Sequence, residues 1–410
     1  MGRLHQHESK TALSLWRRAL VSSLFVSGLA LAQESSAPPP PAEAASAGSA
    51  AAPAAEPAAA TASAPAAAPP AKAAPAVAWP EPVNSAAEMM PLVTQSLLLD
   101  LVESGNRAIA IGERGAIILS DDRSNWRQVA DVPTRATLTA LSAVGSKVWA
   151  VGGDGVILAS DDAGEHWKVQ RRDPWLPPTD AGGSSARHGA PLLDVLFLDE
   201  NRGIAVGAYS LFLETSDGGA TWNERQILAD AAPVATAAAP GEKWTFSREE
   251  LKIEDESEPH FNAIARTSDG SLLIAGERGS LLRSRDNGAN WQRMKLPYDG
   301  SMFGAIGFEG QRAIVFGLRG HAFETDNLGD TWRELPTATE LSLLGGVRLT
   351  GGGVALVGAN GLVLVRRSAT EPLRAGAIDP AGALAAVLPI EGGSAFLVAG
   401  ENGVARYQPR

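Results

Sequence analysis

None of the 410 residues is cysteine. Disulfides, thiolate metal sites and a lipidated cysteine anchor are therefore excluded, and the avoidance suits an oxidising, exported compartment. Histidine occurs six times; His5 and His7 lie in the first ten residues and are read as solvated, and the other four, His166, His188, His260 and His321, show no His-x-His or His-x3-His spacing. No metal or other cofactor is expected. Nucleophile elbows, phosphate loops and haem motifs are absent as well. Basic residues number 35 against 46 acidic, and the formal charge of −11 argues against a nucleic-acid partner. Long apolar runs are missing too. The one marked run, Ala19 to Ala32, has 14 residues, where a membrane span needs about 20.

That run follows Lys10, Arg17 and Arg18 and ends in Ala30-Leu31-Ala32, the small-x-small pattern that signal peptidase accepts. Residues 1–32 are expected to be a signal peptide cleaved after Ala32, with an uncleaved inner-membrane anchor as the alternative. Either reading places the rest of the chain in the periplasm or outside the cell. Residues 33–78 are nearly all Ala, Pro, Ser, Glu and Gly. They lack the apolar bulk to offset chain entropy, so a disordered linker is expected.

What the chain has in abundance is self-similarity. An apolar strand, a Gly-x-x-Gly turn and a second apolar strand recur seven times, the turns starting at Gly112, Gly152, Gly207, Gly276, Gly317, Gly358 and Gly400. The fourth residue is Gly in six copies and Ser210 in the third, and the intervals are 40, 55, 69, 41, 41 and 42 residues. A unit of about 40 residues with four short strands is a propeller blade. Because blades bury their faces only against one another, residues 79–410 count as one domain. An all-β, seven-bladed β-propeller with four antiparallel strands per blade is predicted. The blades fall at about 95–131, 137–172, 191–228, 260–297, 302–336, 341–368 and 383–407.

In most copies the third strand runs into an octet of the form Ser/Thr-x-Asp-x-Gly-x-Thr-Trp. Copies stand at Ser160–Trp167, Thr215–Trp222, Ser284–Trp291 and Thr325–Trp332. The carboxylates of Asp162, Asp217 and Asp286, and the amide of Asn327, are suited to accept backbone N–H groups within their own turn. Trp167, Trp222, Trp291 and Trp332 supply apolar bodies to pack beside the sheet. These residues are read as turn closure, not as acids or metal ligands. A shortened copy, Ser120–Trp126, lacks the Gly, and blades six and seven lack the octet.

After Val404–Tyr407 the last blade wants a fourth strand. Complete blades begin that strand with Trp, and Trp79-Pro80-Glu81-Pro82-Val83 precedes blade one. An N-terminal strand at 79–83 is therefore expected to complete the last blade and close the ring, with proline tolerated on the outer edge.

Turns between the second and third strands share a face with the loops between blades. Two insertions rise there: 172–190, with Trp175 among prolines, and 228–260, with seven Asp/Glu against three Lys/Arg from Glu242 to Glu258. The third position of each turn carries Arg114, Asp154, Tyr209, Arg278, Arg319, Asn360 or Asn402. A partial ring of arginines suits an anionic or protein partner. Turn solubility, with salt bridges to Glu113, Glu277 or the acidic insertion, is the other reading. Arg114, Arg278, Arg319, Tyr209 and Trp175 are the candidate partner-binding residues.

The octets and the Gly-Glu-Arg-Gly turns resemble those of the photosystem II stability/assembly-factor-like family of BNR/Asp-box propellers, over roughly residues 95–407. The resemblance implies a non-enzymatic, exported or lumenal scaffold that binds membrane-protein assembly intermediates through a basic patch, here Arg114, Arg278 and Arg319. The Ala/Pro-rich style does not point to a photosynthetic host. The expected partner is an envelope protein, such as an inner-membrane complex or transporter, rather than photosystem II, and a monomer is expected. The alternatives are a glycan- or small-ligand-binding propeller and a sialidase-like glycosidase. The last needs a tyrosine nucleophile with a glutamate partner. Of the three tyrosines, Tyr407 falls on the last strand, Tyr209 in a turn and Tyr298 in an inter-blade loop.

Overall fold

Seven small antiparallel sheets follow one another along the chain, each starting from an inner strand whose first residue is apolar and buried: Leu98, Leu138, Leu192, Phe261, Met302, Leu343 and Leu384. The structure is a computed structural model that describes residues 82–173, 187–230 and 258–409. The expected signal peptide and linker, Trp79, Trp175 and the acidic run up to Ser257 lie outside the described residues. Among the described residues no helix is long and apolar enough to cross a membrane.

Blade one shows the plan. Its strands are β1 (Leu98–Ser104), β2 (Arg107–Gly112), β3 (Ile117–Ser120) and β4 (Arg127–Gln128), hydrogen-bonded in that order. The second and third strands are apolar on both faces because each blade is covered by a neighbour on either side. Ile109, Ile111, Ile117 and Leu119 face blade two, while Ala108, Ala110 and Ile118 face blade seven. Each fully buried Ile, Leu or Val contributes roughly 1.5–3 kcal/mol over leaving it exposed. Trp149 of blade two stacks on Phe197 of blade three, centroids 3.5 Å apart, and donates its indole N–H to the Gly218 carbonyl at 3.2 Å.

A one-residue slip in register interrupts every inner strand just after its first residue, as between Leu98 and Asp100. Such a bulge bends the strand and re-aims its side chains. The residue after the bulge is Ala or Gly in five blades and Asp100 or Asp194 in blades one and three. Asp100 accepts the N–H of Leu101 at 2.8 Å and that of Leu141 in blade two at 2.7 Å. Asp194 accepts from Val195 at 2.7 Å and from Ile264 in blade four at 2.8 Å. Burial pushes both carboxyl groups up to about 7, although these N–H bonds favour the charged form.

Six blades have four strands. In blade six the fourth strand is Arg374–Ala377, beyond the expected range of 341–368 and without a leading Trp. The expected closing strand is not formed by the part of it that is described. The last sheet has three strands among the described residues, Leu384–Ile390, Ala395–Gly400 and Gly403–Tyr407. Pro82 and Val83 belong to a 3-10 turn, and Val83, 3% exposed, is buried with Val129, Val132 and Trp167 between blades one and two. An apolar slot there outweighs pairing at the edge of blade seven. Closure comes instead from face-to-face packing of Leu98, Leu101 and Ile118 on Ala386, Leu388 and Leu397. A second 3-10 turn, Val93–Gln95, lies against Gly403.

Candidate protein-docking face

The Gly-x-x-Gly turns are built by close approach and by handedness. The first Gly is extended, and a Cβ on it would come within 2.0–2.4 Å of the carbonyl oxygen that precedes the inner strand, Leu97 in blade one and Ser301 in blade five. The next residue donates its N–H to that same carbonyl, at 3.0 Å for both Glu113 and Leu318. The third residue then takes φ between 52° and 59° in six blades, at Arg114, Asp154, Tyr209, Arg278, Arg319 and Asn360. That geometry tips its side chain out of the turn, and all six, with Asn402, are exposed. Each turn packs against the connection to the following blade, so the seven tips lie on one face of the ring.

Glutamate at the second position has a job of its own. Glu113, Glu277 and Glu401 accept the backbone N–H of Leu97, His260 and Ala383 at 3.2, 3.3 and 3.0 Å. The carboxylates of Glu113 and Glu277 are thus turned toward the inner strands, and neither Arg114 nor Arg319 has an ion-pair partner among the described residues. Arg278 and Arg319 sit on adjacent blades, four and five, whereas Arg114 lies three blades away in either direction. The fold therefore makes a pair and a separate single arginine rather than one patch.

Beside the pair, Tyr298 packs on His321 at 4.1 Å and Phe323 at 6.1 Å between centroids. Burial raises its phenol, with the Arg319 charge acting the other way. Tyr209 is 41% exposed and stands edge-on to His260 at 5.1 Å. Its backbone is held by Arg187, which donates to the Tyr209 carbonyl at 2.9 Å and pairs with Glu224 at 3.1 Å and Glu258 at 2.5 Å.

Two residues that sequence reasoning missed complete this face. Met89 and Leu92 are 61% and 64% exposed and, with Tyr209, are the large exposed hydrophobics among the described residues. Their segment is strapped along the turn end of blades one and seven. Ala87 donates to the Val132 carbonyl at 2.9 Å, Met90 to the Gln128 side chain at 2.7 Å, and Thr94 meets the turn at Gly403. The signal was present as Met89-Met90-Pro91-Leu92, an apolar run outside the repeat register.

The octets lie at the other end of the strands and form closed turns. Thr215 Oγ1 donates to Asp217 at 2.8 Å and accepts from Gly219 N at 2.9 Å, while Asp217 accepts from Thr221 N at 2.9 Å and from the Thr221 hydroxyl at 2.6 Å. Ser160–Asp162–His166, Ser284–Asp286–Asn290 and Thr325–Asn327–Thr331 repeat the scheme. Hydrogen bonds from Thr221 lower Asp217 to about 2, and those from Asn290 lower Asp286 to about 2. For Asp162 burial acts upward, but His166 and Ser160 outweigh it, again giving about 2. Carboxylates held this way carry no proton to donate at neutral pH, which fits turn closure.

Comparison with known proteins adds the following. The family described as "Photosynthesis system II assembly factor YCF48" matches residues 187–236. The photosystem II assembly lipoprotein Ycf48 of Synechococcus sp. (strain CC9902) is 30% identical over 145 residues, 34% of this chain and 35% of that protein. The chloroplast photosystem II stability/assembly factor HCF136 of Arabidopsis thaliana is 30% identical over 149 residues, 35% of this chain and 31% of that protein. The matched stretch thus spans about a third of either relative's length. A solved structure of YCF48 bound to D1 peptide superposes with a TM-score of 0.56 at 16% identity, covering 78% of this chain and 96% of that one. The chain is similar to the photosystem II assembly-factor propellers, and the superposition shows the shared propeller fold.

Proposed function

We propose that this propeller is a non-catalytic scaffold that docks on a protein of the cell envelope, as an assembly, stability or transport accessory, through the face bearing the Gly-x-x-Gly turns. One observation carries the reading. Met89, Leu92 and Tyr209, the large exposed hydrophobics among the described residues, lie on the same face as Arg114, Arg278 and Arg319. Aromatic, methionine and arginine side chains are the residues enriched at interface anchors. The left-handed tips fix the backbone from which Arg114, Arg278, Arg319 and Tyr209 project, so little loop ordering is required there on binding. Similarity to assembly factors supports a scaffold role over catalysis. The rest follows from the expected export of the chain, which makes an inner-membrane complex or transporter the partner of choice and photosystem II an unneeded assumption.

The test is a pull-down from solubilised envelope with the wild-type chain, with the Arg114→Glu/Arg278→Glu/Arg319→Glu variant, and with Met89→Ser/Leu92→Ser. A partner retained by wild type and lost from both variants is expected. Identical partner sets for all three chains would remove the basis for the docking face.

A further inference from the structure

The blades without a complete octet are one, six and seven, and they are the three that line a cavity of about 680 Å³ at the octet end of the ring. In blades two to five, the residue after the octet's Asp or Asn is Ala163, Gly218, Asn287 or Leu328, each with φ between 52° and 74°. The shortened turn of blade one puts Arg123 there, at φ 61°, and this residue lines the cavity. Blade six contributes Arg348 and Leu349 from the end of its inner strand, and Arg367 from its third strand. Blade seven contributes Pro389 and Ile390.

The charges do not cancel. The carboxylate of Glu103 is taken by Arg123, and that of Glu391 by Arg406 at 2.6 Å. Arg367 donates to the Gly393 carbonyl at 3.1 Å and meets no carboxylate among the described residues. Arg348 reaches Glu309 only at 4.0 Å, with the two side chains 58% and 89% exposed, a pair of little energetic weight. Two arginines without a close carboxylate thus line the same cavity as Leu349 and Ile390, both buried. A volume of this size lies in the range of small-molecule sites, and the planar fork of a guanidinium matches a carboxylate with two parallel hydrogen bonds.

We propose that this cavity is a binding site for a small organic carboxylate with an aliphatic body. Arg348 and Arg367 hold the carboxylate, and Leu349, Pro389 and Ile390 cover the aliphatic part. The site opens away from the docking face, so it can be filled with or without a protein partner, and it stands independently of the function proposed above.

Titration calorimetry of the full chain at low ionic strength tests this, with adipate and hexanoate as probes and hexylamine as the cationic control. Adipate and hexanoate are expected to bind and hexylamine is not. Affinity should fall about ten-fold or more in Arg348→Ala and in Arg367→Ala, and stay unchanged in Lys168→Ala, an exposed residue of blade two outside both the cavity and the docking face. Both arginines of the site are exposed, and matching thermal melts will establish that these variants fold. Absence of heat with either acid, equal affinity in wild type and the arginine variants, or hexylamine binding as tightly as hexanoate would each overturn the assignment.

Discussion

Replacing Glu324 should expose how blades five and six are held together. Its side chain is 2% exposed and sits among three arginines. Arg312 reaches it at 2.6 Å, Arg366 at 2.9 Å and Arg333 at 3.0 Å. Arg366 is itself 2% exposed, whereas Arg333 is 59% exposed and adds little. Arg312 also donates to the Gly352 carbonyl of blade six at 3.0 Å and lies 4.1 Å over the Phe308 ring. In Glu324→Ala, Arg312 and Arg366 would stay buried without a counter-charge, and removing one partner of a buried pair costs about 3–5 kcal/mol. With about 2.1 cal/mol/K of unfolding entropy per residue, a domain of this size should then melt about 4–7 °C lower. Burial tends to raise the Glu324 carboxyl, but Arg366 and Arg312 outweigh it and hold the group below its ordinary 4.5. The contribution is therefore present above about pH 4.5 and lost only as pH falls through the lower folded value. The assay is urea unfolding at pH 7 on wild type, Glu324→Ala and Glu324→Leu/Arg366→Met. The double variant should recover only part of the loss, since apolar side chains replace the Glu324–Arg366 pair at little cost while Arg312 still lacks its counter-charge. A loss below about 1 kcal/mol in Glu324→Ala, or no recovery in the double variant, would refute the reasoning.

The carboxyls of Asp100 and Asp194 make the opposite pH prediction. Folded values of about 7 stand above the ordinary 3.8, so their share of stability is full below about pH 4 and falls as pH rises to about 7, by up to about 1.4 kcal/mol per pH unit and group. Urea melts from pH 5 to 8 should show that decline in wild type and a flatter profile in Asp100→Asn, and parallel profiles would count against it. In the octets, Asp217→Asn should lower the melting temperature less than Asp217→Ala. Asn327 already shows an amide in this role, accepting from Thr331 N at 2.9 Å and donating to the Thr331 hydroxyl at 2.9 Å. Equal melting temperatures for the two Asp217 variants would show that the turn does not depend on this acceptor.

The parts of the molecule legible in the sequence are those where backbone geometry admits few residue types. Gly112 and its six counterparts approach a carbonyl too closely for a Cβ, and the third turn position takes φ above zero in six blades, so the turns appear as Gly flanking Asn, Asp, Tyr or exposed Arg. Octet side chains bond within four residues of themselves, which makes the motif local and readable. The described part of the expected closing strand lies elsewhere, because the place of Val83 depends on an apolar slot formed by Val129, Val132 and Trp167, which a pattern of fourth strands does not record. Strand Arg374–Ala377 carries no Trp and escaped the same pattern. Met89 and Leu92 lay outside the repeat, and nothing local says that they stay exposed.

By itself the chain determined the number of blades, the turns that join their strands and the side on which the arginines emerge, because each depends on contacts a few residues apart repeated in phase. Only the tertiary structure decided how the ring closes, which glutamates are already occupied, that Glu324 is buried among arginines, and that three blades with missing or shortened octets leave a cavity. Those outcomes depend on groups on different strands or blades, from 12 residues apart for Arg312 with Glu324 to 42 for Glu324 with Arg366, competing for the same space and the same charges, and periodicity carries no record of that competition.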